Sequence, residues 1–181
     1  MVDHSNPPDR VAPIPADDPG RSATIVHADA GDIPHISLAG DTYTILLKGA
    51  DTAERYTLID MHVPPGGGPP PHRHDFEEMF TVLDGEIEVT FRGETTVAAA
   101  GTTVNVPANA PHSFGNHSQG PARLLCMCTP PGQEEFFMEV GDPVGDRTAP
   151  PPQLSEAAIT ERMAKAGALA PKYVTEFVRP E

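Results

Sequence analysis

From about residue 40 to residue 128 the chain is cut into runs too short for ordinary helices and rich in β-branched residues. TYTILLK, ERYTLIDMHV, EEMFTVLD, EIEVTF, TTVAAA, TTVNVP and ARLLCMC are each of strand length. Turn material separates them at Gly49-Ala50-Asp51, Asp84-Gly85, Arg92-Gly93 and Ala100-Gly101. Asp84-Gly85 carries the sharpest hairpin signal, because both central residues of a type I′ turn need positive φ. Many short strands at even spacing predict an all-β chain, a small antiparallel β-barrel or jelly roll, with short helices only at its C-terminal end. PPGQEEFFMEVG reads as one short helix ending at Gly141. LSEAAITERMAKAG reads as a second, with Ser155 as cap, Leu154 and Ile159 as a hydrophobic staple and Gly167 as the stop.

The 181 residues suffice for one domain with extensions, and no internal repeat divides them. Residues 1–22 are polar and Pro-rich without periodicity, which predicts a flexible arm. Residues 23–141 form the expected β domain. Residues 142–181 form a Pro-rich linker and a helix that packs on the domain or on a dimer partner. The 22 prolines gather at the N-terminus, from Pro64 to Pro71 and from Pro150 to Pro152, leaving the strand runs free. A net charge of −14 disfavours nucleic acid and anionic membranes as partners. The chain shows neither a signal-peptide pattern nor a long apolar run, so the expected compartment is the cytoplasm. Cys126 and Cys128 alternate on one strand, a geometry that disfavours a bridge, and read as buried reduced thiols rather than metal ligands.

The chemistry concentrates in GGGPPPHRHDFEEMFTVLDG, residues 66–85. On a strand, His72 and His74 share a face with Cα atoms about 7 Å apart. Both rings can then reach one ion about 2.1 Å from each nitrogen. Continuing that alternation puts Glu78, Phe80 and Val82 on the same face, while Glu77 falls on the other. A fourth ligand comes from GTTVNVPANAPHSFGN, where His112 opens a strand after a proline-bounded turn. Three neutral imidazoles and one carboxylate suit one divalent transition metal, Fe, Mn, Ni, Co, Cu or Zn, with positions left open for small molecules. His4, His27, His35 and His117 read as surface or satisfied core residues, and His62 as facing solvent or an interface with Leu58 and Asp60. The glycine and proline run lacks the lysine and the N–H donors of a phosphate loop and reads as a stiff approach to the ligand strand.

These two stretches resemble the paired motifs of the cupin superfamily. Gly66, His72, His74, Glu78 and Gly85 match every fixed position of the first motif. Gly101, Pro107, His112 and Asn116 match the second, with Asn109 where the family has glycine. Asparagine tolerates the left-handed backbone expected there. The wider texture is similar to single-domain cupins grouped with quercetin 2,3-dioxygenase-like proteins. That resemblance implies a metal-dependent dioxygenase acting on an enolic or phenolic aromatic small molecule, with Glu78 both binding the ion and taking the substrate proton. Two other activities fit the same ligands: a non-redox isomerase, cyclase or dehydratase, and a small-molecule-binding module without turnover. The apolar face of Met79 and Leu83, opposite the ligands, calls for cover and predicts a homodimer.

Overall fold

The structure is a computed structural model and describes residues 14–178, so most of the expected N-terminal arm lies outside the described residues. In chain order the strands are β1 (His35–Leu38), β2 (Asp41–Leu47), β3 (Thr57–Val63), β4 (His72–His74), β5 (Glu77–Asp84), β6 (Glu86–Phe91), β7 (Glu94–Ala99), β8 (Thr103–Val106), β9 (His112–Gly115), β10 (Ala122–Thr129), β11 (Asp142–Pro143) and β12 (Thr175–Phe177). Helix α1 (Gln133–Val140) lies between β10 and β11, and α2 (Glu156–Leu169) precedes β12.

Two antiparallel sheets result, ordered β11-β1-β2-β3-β10-β5-β8 and β12-β4-β9-β6-β7. They are two separate ladders rather than one closed barrel, so it is the jelly-roll form that is realised. The core lies between them. Ile45, Ile59, Phe80, Val82, Ile87 and Leu124 are almost fully buried, each removal of such a side chain from water being worth about 1.5–3 kcal/mol. Alternation is clean on β5, where Glu78, Phe80 and Val82 point inward, and on β10, where Leu124, Cys126 and Cys128 do. Phe137 of α1 stacks on Tyr43 with ring centroids 4.1 Å apart.

The turns fall where the sequence places them, but two have different jobs. Asp84-Gly85 is not a hairpin: β5 and β6 belong to different sheets, and Gly85 (φ 72°) is where the chain crosses between them. A Cβ there would sit 2.6 Å from the Pro121 carbonyl oxygen, so only glycine fits the crossing. The true type I′ geometry is at Arg92-Gly93, both at positive φ, joining β6 to β7 with Phe91 opposite Glu94. Helix α2 begins after Ser155, whose hydroxyl accepts from the Ala158 N–H at 3.2 Å, but it runs through Gly167 to Leu169. A glycine with no unusual φ is only a mild helix breaker, and the helix ends at the turn that contains Pro171. The last element, β12, was not legible in the sequence. It pairs with β4, Thr175 opposite His74 and Phe177 opposite His72. Among the described residues no helix is long and apolar enough to cross a membrane.

One buried group works against stability. Asp41 is fully buried; Oδ2 accepts from the Tyr43 hydroxyl at 3.1 Å, while Oδ1 has no partner among the described residues. Burial outweighs that hydrogen bond and pushes its pKa from 3.8 up to about 7. The folded state therefore holds a proton that the unfolded chain releases, and stability falls as pH rises from about 4 through about 7. Asp41→Asn should gain on the wild type across that window, by about 3.5 kcal/mol at pH 7.5 relative to pH 4 in chemical denaturation. A difference independent of pH would contradict this account.

Candidate metal centre

Four side chains from three strands meet inside the jelly roll. His72 and His74 come from β4, His112 from β9 and Glu78 from β5, and their ligand atoms lie within 4.8 Å of one another. All four are buried. His72 and His112 are direct register partners in one sheet, whereas Glu78 reaches in from the other. The single strand face that the sequence suggests for His72, His74 and Glu78 is therefore not what joins them. The ladders end at His74 and resume at Glu77, and the chain changes sheets across Asp75 and Phe76. Glu78 then approaches the imidazoles from the opposite side. Glu77 points away: its carboxylate accepts from Asn105 Nδ2 at 3.0 Å and from the Ala108 N–H at 3.2 Å.

Each imidazole is oriented by its own backbone surroundings. Nδ1 of His72 lies 2.9 Å from the Pro70 carbonyl oxygen, Nδ1 of His74 3.0 Å from that of Phe76, and Nδ1 of His112 2.9 Å from that of Ala110. A carbonyl oxygen can only accept, so all three Nδ1 atoms carry the proton and the Nε2 atoms turn inward. Such hydrogen bonds fix tautomer and ring orientation in metal-binding histidines. His74 is further held flat against Phe76, with centroids 3.7 Å apart and planes 3° apart.

The distances fit one ion. Glu78 Oε2 is 3.2 Å from His74 Nε2 and 3.1 Å from His112 Nε2. Neighbouring ligands about 2.1 Å from a shared ion and at right angles to each other lie about 3.0 Å apart. The electrostatics agree. Burial would raise the Glu78 carboxyl, but bonds from His112 and His74 outweigh it and hold it well below the usual carboxylate range. Burial disfavours charge on His112, yet the bond to Glu78 raises its pKa. His72 has no contact of that kind; burial first, then the positive charge favoured at His112, push it down to about 4. The cluster thus favours positive charge beside Glu78 and keeps a neutral imidazole in place, which is what a divalent cation requires.

The supporting residues are mixed in origin. Asn109 adopts φ 67°, the left-handed conformation expected of the residue standing where the family has glycine. Its N–H donates to the His74 carbonyl oxygen at 2.7 Å, tying the turn before His112 to the ligand strand. Asn116 lies away from the ligands and is structural, its Nδ2 donating to the carbonyl oxygens of Val63 and Gly120. His62 is half-buried and outside the cluster. Asp60, which the sequence places on an outward face beside it, is buried, and its Oδ2 accepts from both Nε (2.9 Å) and Nη2 (2.5 Å) of Arg123. Cys126 is the residue that sequence reasoning misses at the site: its Sγ lies 3.3 Å from Glu78 Oε1. Its thiol is pushed up by the contact with Cys128 and by burial. The alternation of β10 signals an inward thiol but not its neighbour.

A two-sheet jelly roll enclosing three histidines and one glutamate presents a candidate metal site. Residues 59–128 match the cupin domain family, and the chain belongs to the cupin superfamily. Quercetin 2,3-dioxygenase of Bacillus subtilis is 30% identical over 138 residues, 76% of this chain but 40% of that enzyme's length. The polyketide cyclase RemF of Streptomyces resistomycificus superposes with a TM-score of 0.53 at 21% identity, covering 81% of this chain and 97% of its own. A double-stranded β-helix protein of Klebsiella pneumoniae gives a TM-score of 0.50 at 18% identity, covering 61% and 93%. At these identities both structures speak for the fold alone.

The ligand assignment has a direct substitution test. His72→Ala, His74→Ala and His112→Ala should each weaken binding of a divalent transition metal by more than about 100-fold, beyond what losing a supporting group produces. His62→Ala should leave it unchanged. Titration of the purified variants with Co(II) reads this, and equal loss in all four would contradict the assignment.

Proposed function

We propose that this chain is a metal-dependent dioxygenase acting on an enolic or phenolic aromatic small molecule. The observation that carries the reading is the buried set of three imidazoles with inward Nε2 atoms and one carboxylate. The similarity to a quercetin 2,3-dioxygenase across 76% of the chain supports the redox choice. A redox-active divalent ion of Fe, Mn, Ni, Co or Cu, held by His72, His74, Glu78 and His112, would supply the binding of O2 and substrate that apolar walls cannot.

The protein's own part is positioning and proton transfer. Phe80 and Phe114, with ring centroids 5.6 Å apart, pack in the buried core on the inward faces that carry Glu78 and His112 and help to exclude water. Glu78 is the one carboxylate at the centre, so it takes the substrate hydroxyl proton on a carboxylate oxygen and holds it beside the ring. The imidazoles carry their proton on Nδ1 and would give Nε2 to the ion, which leaves them no free basic nitrogen. The dimer is part of the same proposal. Leu58, Met79, Leu125 and Met127 form a partly buried apolar stripe on the outer face of the larger sheet, suited to a second copy of the chain.

The decisive assay compares aerobic and anaerobic turnover of a panel of flavonols and related enolic aromatics by protein loaded with each metal. Consumption of O2 in step with substrate supports the proposal, and Glu78→Gln should then lower kcat by about 100-fold or more. Turnover that is equally fast without oxygen would instead establish the isomerase, cyclase or dehydratase alternative, for which Zn suffices as a Lewis acid.

A further inference from the structure

The two oxygens of Glu78 face different partners. Oε2 is 3.1 and 3.2 Å from the imidazoles of His112 and His74, while Oε1 is 3.3 Å from Cys126 Sγ. An ionised carboxylate only accepts, so the Cys126 thiol donates. The geometry is not a by-product of register. Cys128, not Cys126, lies opposite Glu78 on the paired strands, and Cys126 lies opposite Phe80. The Cys126 side chain therefore reaches diagonally along β10 to meet Oε1. Cys128 Sγ sits 3.8 Å from Cys126 Sγ. Exposure is 2% at Cys126 and 0% at Cys128, so both thiols are buried.

We propose that Cys126 is a positioning residue that holds the Glu78 carboxylate to one-oxygen contact with the metal. The inference rests on the metal reading above and deepens it. A carboxylate with a free second oxygen can turn and bind an ion through both oxygens. Doing so would occupy one of the positions that O2 and substrate need. A thiol is a weak donor, so its contribution is orientation rather than large binding energy, as for other groups supporting metal ligands. Serine can replace it in kind; valine keeps a similar apolar volume but cannot donate.

The test is titration of the full-length metal-free protein with Co(II), comparing wild type, Cys126→Ser, Cys126→Val and Cys126→Ala. Affinity and the visible ligand-field spectrum are read together, and the denaturation midpoint of each metal-free variant is measured separately. Valine and alanine should each weaken Co(II) binding by about 10-fold or more and alter the spectrum, while serine retains most of the affinity and the wild-type band pattern. Loss that tracks the fall in stability and is not rescued by serine would overturn the proposal. So would unchanged affinity and spectrum in the valine and alanine variants. A sulfur-to-cobalt charge-transfer band in the wild type would also overturn it, because the thiol would then be a ligand itself. If the wild type takes up no Co(II), the metal reading fails and this inference falls with it; uptake that is indifferent to Cys126 defeats the inference alone.

Discussion

The contact of Glu78 with His74 and His112 ties together two sheets that share no backbone hydrogen bonds at that point. Everything else about the site follows from keeping it in register. β4 and β9 are short, of 3 and 4 residues, and between them their only paired position is His72 with His112. Such short strands have little ladder of their own. They are held by β12 on one side and β6 on the other. The outer strand β12 adds an ion pair between Arg73 and Glu176, but it is exposed and worth little. The backbone pairing is what fixes the ligand strand.

The second constraint is the locking of three imidazoles by three carbonyl groups. Each acceptor lies two residues from its histidine in sequence: Pro70 for His72, Phe76 for His74 and Ala110 for His112. Local chain shape thus chooses the tautomer before any tertiary contact does. This also explains the proline density around the ligands. Pro70, Pro71 and Pro111 have no N–H to offer, which leaves nearby carbonyls free of competing donors and limits the backbone to extended shapes. Rigid approaches to a ligand set lower the cost of ordering it.

Much of this was legible in the residues, for identifiable reasons. Strands such as β5 and β10 show alternation because one face is buried, and burial is a sequence-local signal. The ligand set was legible because His72, His74, Glu78 and His112 stand at fixed positions of two motifs, although the geometry that joins them crosses between the sheets. What could not be read is which strands share a sheet. Asp84-Gly85 and Arg92-Gly93 look alike as dipeptides, yet one is a crossing and the other a hairpin, a difference set by Pro121 and Ala122 packing on Gly85. β12 was invisible because TEF is too short to show a period, and its pairing with β4 is specified by β4. The position of Cys126 against Glu78 depends on the pairing of β10 with β5, which no local pattern encodes.

The central claim is that three imidazoles and one carboxylate hold a single ion at the junction of the sheets. X-ray absorption at the metal edge of the reconstituted protein tests it most directly. The account predicts a nitrogen and oxygen shell at about 2.1 Å, the outer scattering of three imidazole rings and no sulfur at about 2.3 Å. A sulfur shell, or scattering from fewer than three imidazoles, would contradict it.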